Sequence, residues 1–148
     1  MMKLNTAEDT EALGAAIGRI IRPGDVIALF GELGMGKTTL TRGLLHALGL
    51  EGDVASPTFP IIQTYDVPDV RIPLWHVDLY RIEDPGELDE LGLDDARAYA
   101  ALAIEWPERL GSVLWPDALR LHLTSASGGG RALTATVPPA WESRWPPL

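Results

Sequence analysis

This sequence predicts an α/β fold, a central mixed β-sheet flanked by helices, and three observations predict it. An apolar pentapeptide, Val26-Ile27-Ala28-Leu29-Phe30, runs into a glycine-rich turn, and a helix-forming stretch follows over residues 40–48. Strand-like and helix-like segments interleave along the chain. Two late strands, residues 119–124 and 132–137, are joined by the polar, glycine-rich run Ser125-Ala126-Ser127-Gly128-Gly129-Gly130.

In chain order, Asn5 or Thr6 caps a first helix with Glu8 and Asp9 in its opening turn. Leu13, Ile17, Ile20 and Ile21 are its apolar stripe. Pro23-Gly24-Asp25 ends that helix and turns into the strand at 26–30, and Gly49 closes the helix after the glycine-rich turn. Residues 53–60 read as a loop and 61–65 as a strand. Residues 71–79 form the next strand, with Pro73 marking an edge or a strand start. Two helices are expected over 85–91 and 94–101, with Pro85 in the first turn of the former. Residues 102–106 form a short buried strand, and 138–148 an irregular tail. No internal repeat or boundary divides the 148 residues, which read as one domain, 1–148.

The glycine-rich turn carries the chemistry. Gly31-Glu32-Leu33-Gly34-Met35-Gly36-Lys37-Thr38 satisfies G-x-x-x-x-G-K-[ST] at every required position, between a strand and a helix as the pattern demands. Such a loop turns successive N–H groups inward as an anion nest, with the dipole of the following helix aimed at the same phosphates. Lys37 would bridge the β- and γ-phosphates, and the Thr38 hydroxyl would be a magnesium ligand. Thr39 would contact the α-phosphate or pack in the first helical turn. Glu32, Leu33 and Met35 occupy the free positions. The chain holds ten arginines but only two lysines, Lys3 and Lys37. A compact ammonium suits the space between two phosphates better than a planar guanidinium does. The loop predicts a P-loop NTPase fold that binds a nucleoside triphosphate with Mg2+.

Composition narrows the partners. With 21 acidic residues against 12 Lys and Arg, the net charge is −9, which repels phosphate backbones. The arginines are scattered with no basic stripe, so direct, tight nucleic-acid binding is not expected. No apolar run approaches membrane-spanning length, and the first residues lack a signal-peptide core. The absence of cysteine excludes disulfides and thiolate metal sites and agrees with a cytoplasmic protein.

Magnesium on a triphosphate needs a carboxylate opposite the loop, commonly at the end of an apolar strand. Asp78 and Glu105 both qualify, and spacing alone does not order them. His76 alternates with Asp78 on one strand face and reads as a packing residue. Asp89-Glu90-Leu91-Gly92 matches D-x-x-G, but it lies in an expected helix and no guanine-reading N-K-x-D accompanies it.

Four segments together resemble the TsaE (YjeE) family: Gly31 to Thr39, Ser56-Pro57-Thr58-Phe59, His76-Val77-Asp78-Leu79-Tyr80-Arg81 and Ile104-Glu105-Trp106-Pro107-Glu108. The family supplies the ATPase component of bacterial tRNA threonylcarbamoyladenosine biosynthesis. The resemblance implies a weak, partner-stimulated ATPase that joins TsaB and TsaD homologues and meets tRNA only indirectly, through the complex. It makes Lys37, Asp78 and Glu105 the catalytic set, with Thr38, Glu105 and Asp78 toward magnesium. It places Ser56, Thr58, Trp106 and Arg131 at the nucleotide, and Ser56-Pro57-Thr58 as a switch-like segment near the γ-phosphate. Pro60 departs from the threonine usual in the family and removes a backbone donor. Two rival functions are a P-loop small-molecule or nucleoside kinase and a nucleotide-gated binding module with negligible turnover. A kinase lid rich in arginine is not visible after the loop helix.

Overall fold

A computed structural model describes residues 2–54 and 61–147. Among these residues, seven strands form one mixed sheet: β1 Met2–Leu4, β2 Val26–Phe30, β3 Ile62–Tyr65, β4 Leu74–Asp78, β5 Ala101–Glu105, β6 Leu119–Ser125 and β7 Arg131–Thr136. Their spatial order is β1-β7-β6-β2-β5-β4-β3. The centre, β6-β2-β5-β4, is parallel, and β1, β7 and β3 add antiparallel edges. The helices are α1 Ala7–Ile20, α2 Lys37–Ala47, α3 Pro85–Glu90 and α4 Leu93–Ala96, with 3-10 segments at Pro107–Val113 and Pro139–Trp141.

Thr6, not Asn5, caps α1: its hydroxyl accepts from the Asp9 N–H at 3.1 Å while the Asp9 carboxylate accepts from the Thr6 N–H at 3.2 Å. This reciprocal box satisfies two helix-end donors. The central strand β2 alternates cleanly between the two faces of the sheet. Ile27 and Leu29 pack with Leu13, Ile17, Leu40 and Leu44 of α1 and α2, whereas Val26 and Ala28 pack with Leu93, Ala96 and Leu110 on the other side. Burial on both faces explains why this strand reads as an unbroken apolar run. The two covering helices meet closely at Gly43, where an added Cβ would lie 2.0 Å from the Glu11 carbonyl oxygen.

Several expectations are corrected. The helix expected over 94–101 ends at Ala96 and is followed by turns, and Ala101 already belongs to β5, its N–H donating to the Pro73 carbonyl at 3.0 Å. Helix propensity of the alanine-rich run gives way to sheet pairing. Pro73 marks a strand start: β4 lies inside the sheet, between β3 and β5. The strand β1 was not anticipated at all. The tail is tied down: Trp141 is fully buried, and Arg144 donates to both oxygens of Asp25 at 2.7 and 3.0 Å. Among the described residues, no helix is long and apolar enough to cross a membrane.

Candidate nucleotide-binding site

The parallel pairing of β2, β5 and β4 brings their carboxyl ends to one edge, where open α/β sheets bind ligands. The loop Gly31–Gly36 leaves the end of β2 and enters α2 at Lys37. Gly36 stands as the helix N-cap with φ of 101°, a left-handed conformation that glycine adopts without a Cβ penalty, and among the described residues no side chain caps the helix. The first backbone N–H groups of α2 therefore face the loop, as anion binding requires. Glu32 and Leu33 are exposed, Leu33 at 69%, and Leu33 lies at the edge of the cavity described below.

Register brings the two strand-end acids together. Asp78 is paired with Glu105 directly across β4 and β5, so the two carboxylates are side-by-side neighbours on one face. Both are buried, at 5% and 4% exposure. Asp78 Oδ1 accepts from the Tyr80 N–H at 2.9 Å. Glu105 Oε2 lies 2.6 Å from His76 Nε2, a fully buried ring. Burial, reinforced by the charge of Glu105, pushes the Asp78 carboxyl above the ordinary range, while the Tyr80 N–H pulls it back.

Lys37 stands over this pair. It is 4% exposed, and its ammonium makes no hydrogen bond among the described residues. Burial pushes its pKa down, and the charges of Glu105 and Asp78 oppose that push. Trp106 covers it, with Nζ 4.1 Å from the ring centroid. To reach there, Trp106 takes φ of 57° and ψ of 49°, a left-handed conformation that costs a bulky residue about 1–2 kcal/mol. Tyr80 packs on the outer side of the indole at 5.0 Å between centroids.

A cavity of about 410 Å³ joins Gly34, Gly36, Lys37, Thr38, Thr39, Asp78, Glu105 and Trp106. The structure thus brings together most of the residues expected at the nucleotide. Arg131 stands at the back of the loop, donating from Nη2 to the Gly34 carbonyl and from Nη1 to the Gly130 carbonyl, both at 2.9 Å. It lines an adjoining pocket of about 280 Å³ with Thr10, Gly36 and Thr39. Met35 is half-buried against the core. Ser56, Pro57, Thr58 and Pro60 lie outside the described residues. The D-x-x-G match at Asp89–Gly92 lines a separate cavity with Arg109 and Trp115, sharing no residue with the loop. Sequence reasoning missed the contact of His76 with Glu105, although the two-residue spacing of His76 and Asp78 placed the ring on the right face. It also missed Tyr80, whose position beside Trp106 depends on the β4–β5 pairing.

Fold and loop together define a P-loop nucleotide-binding protein. The family model of the threonylcarbamoyl adenosine biosynthesis protein TsaE matches residues 4–133. A Streptomyces coelicolor protein named tRNA threonylcarbamoyladenosine biosynthesis protein TsaE is 42% identical over 117 residues, 78% of this chain and 79% of its own. A Bacillus subtilis protein of the same name is 38% identical over 131 residues, 88% of this chain and 80% of its own. The crystal structure of Bacillus subtilis YdiB superposes with a TM-score of 0.78 at 31% identity, covering 92% of this chain and 83% of that one. This chain belongs to the TsaE family.

Proposed function

We propose that this chain is an ATP-binding, weakly hydrolysing subunit that supports threonylcarbamoyl transfer to the tRNA adenosine beside the anticodon, acting through TsaB and TsaD homologues. The observation that carries the reading is Lys37: a buried ammonium, without a hydrogen bond among the described residues, set at the mouth of a backbone anion nest. A buried charge is costly unless paired, and phosphate oxygens are the partners this geometry suits.

Mg2+ fits the residues present. Thr38 and the carboxylates of Asp78 and Glu105 line the same cavity, and hard oxygen donors are what this ion takes. Among the described residues no three His, Asp or Glu side chains cluster as a self-sufficient metal site. A cation held partly by nucleotide phosphates agrees with that donor set. Bound there, it would neutralise charge on the phosphates. Thr38 and Glu105 would hold it, Asp78 would orient water, and Lys37 would stabilise the β- and γ-phosphate oxygens.

Low turnover alone agrees with the cations at the cavity. Besides Lys37 the cavity is lined by Arg81, which is exposed and makes no side-chain hydrogen bond or ion pair among the described residues. The net charge of −9 agrees with a protein that meets tRNA through partners. The test is co-purification with TsaB and TsaD homologues with and without ATP, paired with phosphate-release assays. ATP-dependent capture and a rise in turnover on mixing are expected. Fast hydrolysis by the isolated chain, or phosphate transfer to a small acceptor, would overturn the proposal.

A further inference from the structure

His76 is fully buried in the middle of β4, yet its ring is polar on two sides. An imidazole that only filled space here would lose its water-facing hydrogen bonds for nothing, and an aliphatic side chain would serve better. Its Nδ1 makes no hydrogen bond among the described residues, whereas Nε2 contacts Glu105 Oε2 at 2.6 Å. The residue opposite His76 on β5 is Ala103, whose short side chain lets the ring reach diagonally toward Glu105 two positions further on.

The two acids of the site are tied down differently. Asp78 is short and receives an N–H from Tyr80, two residues along its own chain. Glu105 is a longer side chain with more rotamers, and its described hydrogen bond comes from the neighbouring strand. Its other oxygen, Oε1, makes no hydrogen bond among the described residues, while Glu105 lines the cavity with Lys37 and Thr38.

We infer that His76 is a positioning residue for Glu105: its Nε2–H holds one carboxylate oxygen, leaving the other to serve the loop's cavity. The inference rests on reading Glu105 as the metal-side acid. Outer partners of metal-binding carboxylates act in this way, by fixing the orientation of the group that touches the ion.

The test compares His76→Leu, His76→Asn, His76→Gln and Glu105→Ala in the full chain. Mg2+ is titrated against binding of a non-hydrolysable ATP analogue, followed by tryptophan fluorescence and calorimetry. In His76→Leu the Mg2+ concentration for half-maximal binding should rise about tenfold or more. Analogue affinity at saturating Mg2+ should change about twofold at most, since the loop is untouched. His76→Gln, long enough to present an N–H to Glu105, should recover most of the loss; His76→Asn, too short, should not. In a Glu105→Ala background the His76 substitutions should change nothing further. Side-chain nitrogen NMR of the unliganded wild type, which does not depend on any variant folding, should show a downfield Nε2–H that disappears in Glu105→Ala.

Unchanged Mg2+ dependence in His76→Leu, or in His76→Asn should the leucine variant not fold, would overturn the inference. So would an Nε2 carrying no proton in the wild type. If Glu105→Ala itself leaves Mg2+ dependence unchanged while the Nε2–H signal is present, the failure lies with the metal-side reading of Glu105 and not with the hydrogen bond.

Discussion

The two ends of strand β2 handle charge in opposite ways. At its start, Asp25 meets the guanidinium of Arg144 through two hydrogen bonds, and Arg97 donates to the Gly24 carbonyl and to Asp117. Each of these carboxylates faces a fork-shaped cation of matching geometry. At its finish, Lys37 stands near two carboxylates that are themselves neighbours, and its ammonium donates no hydrogen bond to the described residues. One end uses charge to hold the chain together. The other leaves the Lys37 ammonium without a hydrogen bond among the described residues, a departure from local rules of the kind found at functional sites.

That contrast is open to direct attack. The largest effect is expected at the anchored end: Trp141→Ala empties a fully buried site and should cost about 3–5 kcal/mol in urea unfolding, with nucleotide affinity of the folded fraction unchanged. Loss of affinity in step with stability would mean that the two ends are coupled. Next, Lys37→Ala should weaken binding of an ATP analogue on the order of 100-fold by calorimetry, since charge-assisted hydrogen bonds are worth about 1.5–3 kcal/mol. Its unfolding free energy without ligand should move far less than that of Trp141→Ala. Unaltered affinity would refute the assignment of the loop.

The smallest effects should differ in sign. Burial raises the folded-state pKa of Asp78 above that of the unfolded chain, so the folded state binds the proton more tightly. Stability on this account is full below about pH 4, the ordinary carboxylate value, and declines as pH rises through the raised folded pKa. Asp78→Asn should therefore melt higher than wild type at pH 7, with the advantage vanishing toward acid. The hydrogen bond from Arg97 lowers the Asp117 pKa instead, and its contribution is present above about pH 4 and lost as pH falls through the folded value. Asp117→Asn should melt slightly lower at pH 7, by about 0.5 kcal/mol or less, because that carboxylate is 47% exposed. Melting curves between pH 3 and 8 with the same sign for both variants would erase the contrast.

The local parts of this site were legible in sequence and the relational parts were not. The phosphate loop is contiguous, so its spacing and flanking strand and helix announce it. Asp78 and Glu105 were recognisable as strand-end acids, but their adjacency is a matter of β4–β5 register, which no linear spacing encodes. In sequence His76 reads as packing, because a lone histidine gives no sign of a partner 29 positions away. The three-residue strand β1 is too short to show any period, and its pairing with β7 spans almost the whole chain. Trp141 and Arg144 lie in a proline-rich tail whose composition resembles a loop; only the fold reveals the surfaces that receive them.

The direct cross-strand pairing of Asp78 with Glu105 also sets where this chain tolerates changes of length. Residues inserted between β4 and β5, for instance near the exposed Tyr99, lengthen a surface excursion and leave both acids where they are. A single residue inserted within β4, between Leu74 and Asp78, does something else. It turns either the aspartate or its apolar neighbours to the opposite face of the sheet. Loop ends can drift in length without touching the chemistry, whereas the spacing inside this five-residue strand is a fixed ruler.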